Sequence, residues 1–193
     1  MQTLIFVVLI VLFGSALFSC VEAALFSVSL GRARVLAEQK KRGSANLIKV
    51  KENIRRPITV IVILNNIFNI AGSILVGAMA GSVLGSAWIG GVSAILTFLI
   101  IILGEIIPKT LGENYAEPIS LFAAGPLLAS TKLFFPFIWF IEKLTSPFSQ
   151  KNKTVSEEEI RILSHLGHLE GSIEKDEKEM IQKVFRLNDL TAR

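Results

Sequence analysis

Leu103-Gly104-Glu105-Ile106-Ile107-Pro108-Lys109 closes a stretch that carries no charged side chain from Pro57 through Gly104. The length and apolarity of that stretch decide the fold. A spanning helix needs about 20 predominantly apolar residues, and 48 in succession are enough for two. The same pattern recurs elsewhere. Met1 to Val21 is uncharged, and Pro118 to Ile141 carries only Lys132. Most charges lie in two blocks, Arg32 to Arg56 and Lys151 to Arg193. With 51% hydrophobic residues and a mean hydropathy of +0.58, this segregation is that of a membrane protein with aqueous connections.

Three spans are expected. The first runs from about Thr3 to Leu30; its N-terminal end lacks the basic residues of a secretory signal, so it reads as a retained helix. The second runs from about Ile58 to Ala80, with Pro57 in its first turn. The third runs from about Ala87 to Ile107, with Trp88 as an interfacial anchor. The loop between the first two holds nine Lys and Arg, from Arg32 to Arg56, against Glu38 and Glu52. The positive-inside rule makes it cytoplasmic, so the N-terminus lies outside and the C-terminus inside. Apolar Val35, Leu36, Leu47, Ile48 and Val50 among the bases predict helices at the membrane surface.

Residues 118–148 are apolar but broken by Gly125-Pro126, Pro136 and Pro147, which predicts pieces at about Ile119–Ala124 and Leu127–Ile141. A juxtamembrane pair fits them, and a hairpin that dips into the membrane is the rival. After Lys151 the character changes. Ser156 with Glu159 forms a capping box, Ile160, Leu163 and Leu166 make an apolar stripe, and Gly171 ends the helix. A second helix, about Ile173 to Leu187, presents Met180, Ile181, Val184 and Phe185. The expected architecture is therefore all-α: a transmembrane domain over 1–149 with three spans and belt helices, then a small cytosolic helical pair over 150–193.

Each span carries one polar stripe. Ser15, Ser19 and Glu22 share a face of the first; Asn66, Asn69 and Ser73 of the second; Thr97 and Glu105 of the third, with Gly104 beside them. Lipid satisfies none of these groups, so the stripes are expected to turn inward together. A carboxylate at the end of such a span reads as an ion or proton site, and Pro108 frees a carbonyl from the helix ladder. Hydroxyls, amide oxygens, carbonyls and a single acid are hard donors. With no histidine in these spans and Cys20 alone, the set favours magnesium, calcium, sodium or a proton over zinc or copper. Plainer readings exist: the hydroxyls can bond their own helix, Glu22 can be solvated, and Glu105 can pair with Lys109. His165 and His168 read as residues of a solvated helix. The net charge of +4 is explained by membrane proximity rather than nucleic acid. One cysteine permits no internal disulfide.

Three motifs resemble the CorB/CorC and cyclin M (CNNM) family of magnesium transporters. They are Leu17-Phe18-Ser19-Cys20-Val21-Glu22-Ala23-Ala24-Leu25, Leu64-Asn65-Asn66-Ile67-Phe68-Asn69 and Gly104-Glu105-Ile106-Ile107-Pro108-Lys109-Thr110. The tail from Glu157 to Arg193 resembles the acidic helical connector that precedes paired CBS domains, which this chain does not include. The resemblance implies a homodimer in the plasma membrane, each protomer holding Mg2+ in a cavity open to the cytosol. It implies Ser19, Asn66, Gly104 and Glu105 as ligands, with Asn69 close by and Pro108 shaping the break. Asn65 stands where the family commonly has Gly, which leaves open which amide faces the ion. The function implied is magnesium transport, an export coupled to Na+ and working by alternating access, with no covalent catalysis. The alternative is a magnesium-sensing regulator of other transporters.

Overall fold

The computed structural model describes residues 1–145, 157–169, 171–172 and 174–191. Among them every regular element is helical. Three helices are long and apolar enough to cross a membrane: Gln2–Ser27, Arg55–Leu84 and Ser86–Asn114. The protein is thus an all-α membrane protein, with spans two and three longer at both ends than hydropathy alone predicts.

The first span is α1 (Gln2–Ser27). No glycine or proline ends it. Val28 turns extended, and Ser29 caps the next helix by accepting from the Arg32 N–H at 3.0 Å. A side-chain cap on the following helix competes with continuation of the preceding one. The carbonyl of Leu25, near this C-terminus, is taken by the Lys51 ammonium at 2.7 Å. A cation at a helix C-terminus meets both the orphan carbonyls and the negative end of the dipole. Burial pulls the Lys51 amine below the ordinary lysine range.

The base-rich loop folds as two short surface helices, α2 (Leu30–Glu38) and α3 (Ser44–Glu52). Their apolar residues Leu36, Leu47 and Val50 are buried with Leu25, Ile61 and Ala124 in one cluster. A second cluster, nearer the other membrane face, packs Leu4 and Val11 against Val76, Ala80, Leu96 and Ile100.

The second span consists of α4 (Arg55–Asn66) and α5 (Gly72–Leu84), joined without a break by a π-helical stretch, Ile67–Ala71. The third has α6 (Ile89–Leu99), a π-helical stretch at Ile100–Ile106, and α7 (Ile107–Asn114). Pro108 therefore does not break the helix. It sits in the first turn of α7, where its missing N–H is tolerated, and the widened stretch lies immediately before it.

The region after Tyr115 departs from the expected boundaries. Helix α8 (Ala116–Leu133) runs straight through Gly125-Pro126, and the break falls at Phe134, before α9 (Phe135–Thr145). The two are bent by 79°. Glycine ahead of the proline removes the Cβ that would oppose a helical residue there. The carbonyl that Pro126 leaves without a donor belongs to Phe122, an exposed position. Pro136 opens α9 instead of interrupting it.

Two ion pairs fasten this bent pair to the rest of the chain. Arg32 donates to Glu117 at 2.6 Å, and Arg56 grips Glu142 through two bonds of 2.8 and 3.1 Å. The Arg32 guanidinium holds the Glu117 carboxyl below its usual range near 4.5. A depressed carboxyl contributes stability above that range and loses it as pH falls through the depressed value. Thermal melts of wild type and Glu117→Gln should differ at neutral pH and converge in acid. Both partners are exposed, so the difference is small.

Contacts divide the chain into Met1–Leu144 and Thr145–Arg193. The second unit holds α10 (Glu157–Leu169) and α11 (Lys175–Thr191). Gly171, at φ +76°, ends α10 as expected, and Ser172 N–H returns to the Gly167 carbonyl at 2.8 Å. Glu177 accepts from the Glu174 N–H at 2.9 Å, a capping contact that opens α11. The cap expected of Ser156 and the start expected at Ile173 lie outside the described residues. Ile160, Leu163 and Leu166 are exposed within this unit, as are Met180 and Val184. His165 is exposed beside the Lys178 ammonium at 2.8 Å.

Candidate functional site

The two π-helical stretches hold three of the residues singled out above. Asn69 lies in the first; Gly104 and Glu105 lie in the second. They meet directly: the Asn69 side-chain amide donates to Glu105 Oε1 at 3.2 Å. The first span joins from the other side, where the Ser15 hydroxyl donates to the Gly104 carbonyl at 3.3 Å in a buried bond. The sequence explains why that carbonyl accepts. Its α-helical donor would be the N–H of residue 108, and residue 108 is proline. Gly104 also permits the approach. A Cβ there would lie 2.8 Å from Ser15 Oγ, too close for any other residue without displacing the serine. Three spans thus converge on Gly104-Glu105.

Ser19 is one helical turn beyond Ser15, fully buried, and its hydroxyl has no protein partner. It is bracketed by the Ser15–Gly104 bond and by the Glu22–Lys109 ion pair, in which the charged groups stand 3.9 Å apart. Lys109 is therefore engaged by Glu22, and the hydrogen-bond partner of Glu105 is Asn69. A buried hydroxyl left unbonded costs roughly 1–3 kcal/mol, so each such atom marks a place where a partner is wanted. Asn69 Oδ1 and Asn65 Oδ1 share this condition.

Asn66 is not brought to the cluster. Its side chain is exposed and its amide donates to the carbonyl of Val62, in its own helix, at 2.9 Å. Sequence spacing put Asn66 and Asn69 on one face by the α-helical rule. The π-helical stretch between them takes more residues per turn, which favours the i, i+4 pair Asn65 and Asn69 instead. Nothing in the sequence announces that stretch, because no proline follows it. Ser73 and Thr97 took the plainer course, bonding the carbonyls of Asn69 and Ser93 in their own helices.

The resulting cluster is rich in oxygen: the Glu105 carboxylate with the Asn69 side chain bonded to it, the Gly104 carbonyl, and the unpartnered Ser19 hydroxyl one turn from Ser15. Among the described residues no group of three His, Cys, Asp or Glu side chains gathers as a metal-binding cluster, here or elsewhere. Such a donor set suits a hard cation whose hydration shell is only partly replaced.

Similarity to known proteins agrees with the motifs. Residues 4–177 match the model of the cyclin M transmembrane N-terminal domain. The chain is 50% identical over 194 residues to a UPF0053 protein of Synechocystis, covering 100% of this chain and 56% of that protein. It is 28% identical over 200 residues to a UPF0053 protein of Haemophilus influenzae, covering 99% of this chain and 47% of that one. A DUF21 domain-containing chloroplastic protein of Arabidopsis thaliana is 26% identical over 194 residues, with 96% and 30% covered. The chain spans about half the length of the two bacterial relatives, and the shared part is the membrane domain with its helical extension. This chain belongs to the CorB/CorC and cyclin M family.

Proposed function

We propose that the chain moves magnesium across the membrane, with Glu105 as the charged ligand of the transported ion. The observation that carries the reading is the Asn69–Glu105 bond between two π-helical stretches, with the first span locked onto Gly104. π-Helical turns inside α-helices are frequently found at functional positions. The Glu105 carboxylate, the Gly104 carbonyl, the Ser19 hydroxyl and the Asn69 amide oxygen are the proposed ligands. Asn66 lies next to them in sequence and contributes less. One carboxylate neutralises half the charge of a divalent ion, and waters complete the shell. That is a site an ion can leave, which suits transport over storage.

The orientation follows from the charge asymmetry: the α2–α3 side is cytosolic and the N-terminus external, in a plasma membrane. Export by alternating access, coupled to sodium entry and performed by a homodimer, completes the proposal. The competing reading, a membrane sensor of magnesium, shares the site but not the flux. Magnesium-sensitive dye in proteoliposomes separates them. The transporter reading expects protein-dependent flux that responds to an imposed sodium gradient; a silent protein that still binds magnesium would favour the sensor.

The two asparagines give a second test. Asn69→Ala should weaken magnesium binding by about tenfold, since it removes both an oxygen and the bond that orients Glu105. Asn66→Ala should cost markedly less. Calorimetric titration reads the order, and the reverse order would reject the ligand set.

A further inference from the structure

A cavity of about 720 Å3 opens between α3, the start of α4, the second half of α8 and the start of α9. It lies at the base-rich end of the second span, away from Glu105. Three cations line it, Lys49 from α3, Arg56 from α4 and Lys132 from α8, and no acidic residue does. Arg56 is already engaged with Glu142. Lys49 and Lys132 have no ion-pair partner among the described residues. Beside the charges the lining is apolar, made chiefly by Leu128 and Ala129, one turn from Lys132 on α8, and by Phe135, whose ring centre lies 6.0 Å from the Arg56 guanidinium.

We propose that this cavity binds one anionic phospholipid, its phosphate held by Lys49 and Lys132 and the start of an acyl chain laid along Leu128, Ala129 and Phe135. Charge complementarity selects an anion. The apolar wall and a volume far beyond that of a phosphate ion select a lipid over a free anion. Continuity selects it again: from Phe135 the apolar face of α9 continues one turn on to exposed Trp139. The Lys143 ammonium lies 5.3 Å from the Trp139 ring centre, the pairing of aromatic and cation typical of a membrane interface. Basic pockets on the cytoplasmic side of membrane helices hold anionic headgroups in this manner. A lipid seated there would wedge α3 and α8 against the start of the second span. The inference needs a membrane location but not the magnesium reading.

The test is native mass spectrometry of the full chain released from detergent with added phosphatidylglycerol or phosphatidylcholine. One phosphatidylglycerol should be retained per chain, at least about tenfold over phosphatidylcholine. Lys49→Gln/Lys132→Gln should bring the two lipids level. Ala129→Phe, which keeps the charges but fills the apolar wall, should expel both. Equal retention of the two lipids by wild type, retention unchanged in both variants, or displacement by millimolar inorganic phosphate would overturn the proposal. So would loss of a dimer, rather than of lipid, in the double-lysine variant, since a second copy would then be the occupant. Magnesium flux is scored separately, so failure here leaves the ion site untouched.

Discussion

If the proposed transport reading holds, Glu105→Ala should abolish magnesium flux and leave a folded membrane protein. The magnitude follows from the site. Two unit charges about 4 Å apart at an effective dielectric of about 20 interact by about 4 kcal/mol, and a divalent ion doubles that before desolvation is subtracted. A net loss of at least about 3 kcal/mol remains, roughly a hundredfold or more in affinity. Folding does not suffer in proportion. A carboxylate in a membrane span is a cost to the apo protein, and its removal forfeits one bond from Asn69. Melting should stay within a few degrees of wild type. Glu105→Gln sharpens the test, because an amide oxygen still accepts from Asn69 but carries no charge. Gln should be as inactive as Ala if charge is what the ion requires. Proteoliposome flux and calorimetry check both, and wild-type flux from either variant would remove Glu105 from the mechanism.

Gly112→Val should be the most damaging substitution for the fold. Glycine is present here because α7 lies on α1 with nothing between the backbones. A Cβ at Gly112 would sit 2.2 Å from the Cys20 carbonyl oxygen, 3.1 Å from the Ala24 nitrogen and 3.1 Å from Ala23 Cβ. Two of these are backbone atoms, which have no rotamer to escape into. Overpacking in a tight core costs about 1–3 kcal/mol and more where backbone must shift. At about 2–4 °C per kcal/mol for a chain of this size, the melting temperature should fall by roughly 6 °C or more. The displaced helix carries Gly104 and Glu105 eight and seven residues earlier, so flux should fall with stability. Gly31→Ala is the control. It meets only Ser29 Oγ, at 3.8 Å, and should be close to neutral. An unaltered melt for Gly112→Val would mean that α1 and α7 are not packed in this way.

The spans, the surface helices of the basic loop and the helix end at Gly171 were all legible, because they rest on charge segregation and on glycine. So were the burial of Ser19 and the meeting of Asn69 with Glu105, because lipid offers polar groups nothing. What escaped was local. Wide helical turns at Ile67–Ala71 and Ile100–Ile106 change the face each span presents; Asn66 is exposed and bonded within its own helix, while the Asn65 amide oxygen is buried without a partner. In the third span Pro108 pointed to a disturbance, but a break and a widened turn look alike in sequence. The passage of α8 through Gly125-Pro126 depends on an exposed Phe122 carbonyl, and the capping of α1 by Lys51 joins residues 26 apart. Ser15 read equally well as a residue bonding its own helix. Its bond to Gly104 needed the missing proline donor and the missing glycine side chain together.

The central claim is that oxygen atoms from three separate spans close on one hard divalent ion. Manganese favours the same carboxylate, carbonyl and water donors as magnesium and scatters anomalously. Crystals of the protein grown with manganese should give a single anomalous peak per chain inside the bundle, within about 2.2 Å of a Glu105 oxygen and beside the Gly104 carbonyl and Ser19 hydroxyl. A bundle with no peak there, or with its manganese bound only at the Glu22–Lys109 level or on the surface, would contradict the account.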